Sequence, residues 1–105
     1  LKSIFADGDG RVKIFMAHKP ALAKAVAADT KSDIILSGHT HGGIMPGVSS
    51  VVKKANGGFV RGRYKIGNSH LFVSPGTGQW AGFPARIFND SEITMLRLTS
   101  SAVQR

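Results

Sequence analysis

The sequence predicts an α/β fold, and three observations carry that prediction. An apolar run ending at Ala17 is followed by an alanine-rich segment opened by Pro20, and then by a second apolar run, Asp33-Ile34-Ile35-Leu36-Ser37. Strand, helix and strand in succession are the mark of an α/β layer. Further on, alternating segments bracket the turn pair Gly67-Asn68, which adds sheet to that layer. A chain of 105 residues with 42% hydrophobic content suits one small domain that buries a modest core.

Each element has its own reason. Arg11-Val12-Lys13-Ile14-Phe15-Met16-Ala17 begins with alternation and turns apolar, as a strand buried on at least one face does, and His18-Lys19-Pro20 ends it. Pro20 suits the first turn of a helix, and Ala21 to Ala28 has high helix propensity. Asp33 to Ser37 is too short and too β-branched for a helix. The glycine-rich stretch from Gly38 to Gly58 reads as a long loop. Phe59 to Ile66 and Ser69 to Ser74 alternate on either side of Gly67-Asn68 and read as a β-hairpin. Pro75-Gly76-Thr77-Gly78 breaks the chain, and Glu92 to Leu98 supplies a final strand of period two.

Composition limits the chemistry. The formal charge of +8 favours anionic partners such as nucleic acid, phosphorylated metabolites or acidic lipid headgroups. Without cysteine there is neither a disulfide framework nor a thiolate metal site, so a metal must be held by His, Asp, Glu or Asn. No apolar stretch approaches the roughly 20 residues that span a bilayer, and Leu1 to Gly10 lack the apolar core of a signal peptide. The chain starts at Leu1 without an initiator methionine, which points to processing or truncation.

The chemistry concentrates in Gly38-His39-Thr40-His41-Gly42-Gly43, directly after the second apolar run. In an extended segment, residues two apart point to the same side about 6.6 Å apart. His39 and His41 could therefore grip one ion together, or each serve one of two adjacent ions. The flanking glycines let backbone and side chains crowd around a small ligand. His18 ends the first predicted strand, and open α/β sheets carry their sites at the carboxyl ends of strands, so His18 and His39 are expected close together.

These residues carry a resemblance. Ala17-His18-Lys19-Pro20, a helix, Ser32 to Gly43, a hairpin, Val73-Ser74-Pro75-Gly76-Thr77-Gly78 and Phe83-Pro84-Ala85-Arg86-Ile87 together resemble the C-terminal part of a calcineurin-like metallophosphoesterase. The likeness is strongest to bacterial members related to membrane-associated phosphoesterases and lipid-sugar pyrophosphatases. It implies that residues 1–105 are the C-terminal segment of a single domain, half of an α/β/β/α sandwich. It also implies a partner in the absent N-terminal half and a phosphorylated substrate. By the same resemblance His18 and His39 are ligands of one metal and His41 of the other. In the family two ions, commonly manganese, iron or zinc, activate a water that attacks a phosphate mono- or diester or a pyrophosphate.

What the sequence lacks bears equally on function. The family's Asp-x-His, Gly-Asp-x-x-Asp and Gly-Asn-His-Asp/Glu motifs do not occur, and they supply the carboxylate that bridges the metals. The six carboxylates, Asp7, Asp9, Asp29, Asp33, Asp90 and Glu92, lie at no recognisable ligand spacing, and Asp33 is expected at the strand end opposite His39. Gly67-Asn68-Ser69-His70 is better explained by the hairpin turn, and Asp7-Gly8-Asp9-Gly10 by a turn than by a calcium loop. Lys19 and Ile44 stand where relatives often carry Asn or Asp and Gln. The chain alone is therefore expected to bind at most one divalent ion, weakly, and to turn over little or nothing.

Arg86 is a candidate for holding substrate phosphate, since guanidinium suits bidentate contact, whereas Arg61 and Arg63 read as a solvated strand face. Trp80 and Phe83 suit either a substrate pocket or core packing. A different class of function is a basic, metal-free module on nucleic acid or anionic lipid. A single Tyr and Trp leave it little for base stacking. Strands built to cover a missing half would expose apolar surface, so a homo-oligomer is a third expectation. The compartment expected is cytoplasm or a peripheral membrane site.

Overall fold

The computed structural model describes residues 10–43, 47–78 and 90–99. The first strand, β1, runs Ile14–Ala17. A 3-10 turn over Pro20–Leu22 leads into helix α1, Ala23–Thr30, and then strand β2, Ile34–Ser37. Pro20 opens the helical run because a missing N–H costs nothing in a first turn. The helix stops where Lys31 turns left-handed at φ 50°. Strands β3, Gly62–Ile66, and β4, Ser69–Val73, form the hairpin, with Gly67 at φ 57° in its turn.

The four strands make one sheet in the order β1-β2-β4-β3. Strands β1, β2 and β4 are parallel neighbours, and β3 runs antiparallel on the edge beside β4. The register aligns Ala17 with Ser37 and Ser37 with Val73, so three carboxyl ends finish side by side. That alignment is the condition under which an open α/β sheet presents a site along one rim.

One face of the sheet is covered. Ala23 and Val26 of α1 join Ile35, Leu71, Val73 and Phe59 in the buried core, with Phe15, Tyr64 and Ile66 packed against it. Because alternate strand residues point to opposite faces, Ile14, Met16, Ile34, Leu36 and Phe72 fall on the other side. No described element covers them, and Met16 is 80% exposed.

Two expectations need correction. The stretch Gly38 to Gly58 is not loop throughout: it contains a 3-10 turn at His41–Gly43 and helix α2 over Ser49–Ala55. Its glycines hid a short helical run that no long apolar period marks. The final strand from Glu92 to Leu98 is not formed either, for residues 90–99 pair with no strand among the described residues. Alternation signals a strand only where a neighbouring edge is offered. Here Ile93 and Met95 are 90% and 91% exposed, and the segment is tied back near its start, where the Glu92 N–H donates to the Gly76 carbonyl at 3.1 Å and the Ser91 hydroxyl to the Thr77 carbonyl at 3.0 Å.

Candidate functional site

The rim at the carboxyl ends of β1, β2 and β4 gathers the histidines. The Gly38 N–H donates to the His18 carbonyl at 3.2 Å, and the Ser74 N–H to the Ser37 carbonyl at 2.8 Å, which extends the ladder one step past the strands. From this frame His39 Nδ1 reaches His18 Nε2 at 3.0 Å, with the rings at 69° and centroids 4.8 Å apart. The sequence expectation that His18 and His39 lie close together holds.

The loop that carries His39 and His41 is folded, not extended. His39 and His41 both adopt left-handed backbone, at φ 72° and 48°, conformations uncommon for residues other than glycine. The Thr40 N–H donates to the Gly38 carbonyl and the Gly43 N–H to the Thr40 carbonyl, each at 2.9 Å. Thr40 itself is buried, and its hydroxyl donates to the Val60 carbonyl ahead of β3. The same-side geometry that an extended segment would give His39 and His41 is therefore absent. Gly43 closes the turn at φ 89° against α2, where a Cβ would meet the Ser49 Cβ at 3.0 Å.

Electrostatics suit a neutral imidazole. Desolvation by neighbouring groups lowers the His39 pKa, and the positive charges of His18, Lys19 and His41 lower it further. A neutral ring keeps a lone pair for a ligand bond. His41 Nδ1 is buried and has no hydrogen-bond partner, and the same is true of Ser37 Oγ at the last position of β2. Ser37 drew no notice in the sequence, although a lone hydroxyl closing an apolar run was the available signal.

The donor chemistry fits a divalent ion in part. Two imidazole nitrogens 3.0 Å apart can be bridged by one ion at bonds of about 2.0–2.1 Å. Among the described residues, however, no three His, Asp or Glu side chains come together as a metal-holding group. Asp33 lies at the far end of β2, where its carboxylate accepts from the Lys13 N–H at 2.7 Å. His70 is also remote, on β4 opposite Ile34 at the start of β2. Arg61 pairs with Glu92 at 3.3 Å, and Arg63 is exposed on β3. Arg86, Trp80 and Phe83 lie outside the described residues.

Known proteins are similar to this chain in sequence. An uncharacterised metallophosphoesterase of Helicobacter pylori is 40% identical over 81% of this chain, a stretch that is 23% of that relative. A metallophosphoesterase of Campylobacter jejuni is 41% identical over 84% of this chain and 23% of its own length. A transmembrane protein with metallophosphoesterase domain from Bos taurus is 38% identical over 84% of this chain and 20% of its own length. The chain thus spans less than a quarter of each of these relatives. No family profile matches the chain, and no solved structure matches it.

Proposed function

The chain belongs to the metallophosphoesterases, and from that premise we propose that it supplies the histidine side of a two-metal phosphoesterase site. The observation that carries this reading is the approach of His39 Nδ1 to His18 Nε2 at the common rim of β1 and β2. In it, His18 and His39 hold one divalent ion and His41, through a ring whose Nδ1 is now unpartnered, contributes to a second. Manganese, iron or zinc, when bound, stabilises charge on phosphoryl oxygens and activates a water. Arg86 is proposed as a phosphate contact on its side-chain chemistry alone.

The carboxylates that such a site needs are proposed to come from the rest of the domain. Two facts support this: the relatives are several times longer than this chain, and the sheet has an apolar face that no described element covers. The bond cleaved in the whole protein is proposed to be a phosphate mono- or diester or a pyrophosphate. A cytoplasmic or peripheral membrane setting is proposed with it. The described residues contain no helix long and apolar enough to cross a membrane. Some relatives are named as transmembrane proteins with a metallophosphoesterase domain.

The test is a calorimetric titration of the chain with Mn²⁺ and Zn²⁺, beside the His18→Ala and His39→Ala variants. The reading expects one weak site, weakened about tenfold or more by either change, and little hydrolysis of a generic phosphodiester. Metal binding indifferent to both substitutions would overturn the ligand assignment. Family-like turnover by this chain alone, abolished by His39→Ala, would overturn the claim that the site needs its other half.

A further inference from the structure

Helix α2 presents an outer face that the phosphoesterase reading does not use. Ser49, Val52 and Asn56 form its inner side: Ser49 lies against Gly43, and Asn56 is buried while its amide donates to the Val52 carbonyl at 2.8 Å. On the outer side Val51 is 68% exposed and Val48, one turn earlier, is 38% exposed. Ser50, Val51, Lys54 and Ala55 line an open depression there, and Lys53 stands exposed beside it in the last turn. None of the residues Ser49–Ala55 is buried, and burial begins at the cap, Asn56.

The helix itself carries charge of one sign, from Lys53 and Lys54 in its last turn. From Ile34 to Asn89 the sequence contains no aspartate or glutamate, while Lys53, Lys54, Arg61, Arg63, Lys65 and Arg86 fall within that stretch. We propose that the outer face of α2, with Val48 and Val51 as apolar contacts and Lys53 and Lys54 as cations, docks on an anionic lipid surface. Exposed aliphatic side chains set beside lysines match the boundary between acyl chains and anionic headgroups. They suit nucleic acid less well, because the helix has no aromatic ring to stack on a base and no arginine to fork a phosphate. The Gly43 contact fixes α2 to the turn that holds His41, so docking would set the histidine rim at a constant height above the lipid. This deepens the peripheral-membrane reading and rests on it.

The test is co-sedimentation of the full chain with phosphatidylcholine vesicles, with and without phosphatidylglycerol, at rising salt. Wild type is expected to bind only the anionic vesicles and to be released by salt. Lys53→Gln and Lys54→Gln should each weaken binding about fivefold, the equivalent of about 1 kcal/mol. Val48→Ser with Val51→Ser should weaken it at low salt as well. Because the lysines are exposed, their variants remain informative even if the valine pair disturbs folding, and circular dichroism reports that. Binding that none of these variants alters would overturn the assignment to α2 and leave the membrane reading standing. No wild-type binding to anionic vesicles would overturn both. Duplex DNA that displaces the vesicles and binds the valine variant equally well would overturn the lipid in favour of nucleic acid.

Discussion

His39 Nδ1 and His18 Nε2, 21 positions apart in sequence, meet at 3.0 Å because parallel pairing of β1 with β2 brings their carboxyl ends together. Such a pair shares one hydrogen between two nitrogens, so it cannot keep this bond with both rings protonated, since an imidazolium has no acceptor. The geometry and the lowered pKa of His39 point the same way.

The first prediction concerns pH. The folded protein holds His39 below its ordinary value of 6.5, so the unfolded chain takes up the proton more readily. The associated stability is fully present above that value and is lost as pH falls from it through the folded pKa. Imidazole resonances followed by NMR should show His39 titrating below 6.5, and Lys19→Gln should move it back up by removing a neighbouring charge. A His39 that titrates at or above 6.5 in wild type would refute this account.

A second prediction tests the turn that carries His41. Gly43 combines φ 89° with a Cβ path blocked by the Ser49 Cβ at 3.0 Å and by Val60 Cγ1 at 3.3 Å. Gly43→Ala must strain the backbone and push α2 outward, at a cost of roughly 1–3 kcal/mol. Urea denaturation should show the loss as a lower midpoint. An unchanged midpoint would mean that the turn relaxes freely and does not fix α2.

Much of this was legible in the sequence, for local reasons. Pro20 and the alanines fixed the start of a helical run, the β-branched residues before Ser37 a strand, and Gly67-Asn68 a hairpin. The proximity of His18 and His39 followed from strand order and one rule about carboxyl ends. What escaped were features set by distant partners. Helix α2 rests on Gly43 and has no apolar period of its own, and the left-handed turn at His39 and His41 depends on buried Thr40. Glu92 to Leu98 has the alternation of a strand but meets no sheet edge among the described residues.

A third prediction concerns the core. Among the described residues Leu71 is fully buried in a cluster of six buried apolar residues, with Ile35 and Tyr64 as its cross-strand neighbours. Leu71→Ala removes its contacts and leaves a cavity, a change of roughly 2–5 kcal/mol. A chain this short buries a modest core and has little margin, so thermal denaturation followed by circular dichroism should find the variant largely unfolded at 37 °C. A cooperative transition near that of wild type would show that the hairpin contributes little to stability.

The last prediction addresses the uncovered face of the sheet. Met16 and Ile14, 80% and 45% exposed, stand on edge strand β1 beside Ile34 and Leu36 of β2, an apolar surface of the kind that drives association. Placing a charge there should interfere with any cover, whether a second copy or the rest of the domain. Met16→Lys leaves the α1 side of the sheet untouched, because neighbouring strand residues alternate in direction. Light scattering should therefore show wild type self-associating as concentration rises and Met16→Lys closer to monomer, with the same circular dichroism. Should the two associate equally, this face is not where copies meet. A wild type that stays monomeric at all concentrations would count against the homo-oligomer altogether, and the uncovered face would then have to be explained by the remainder of the domain alone.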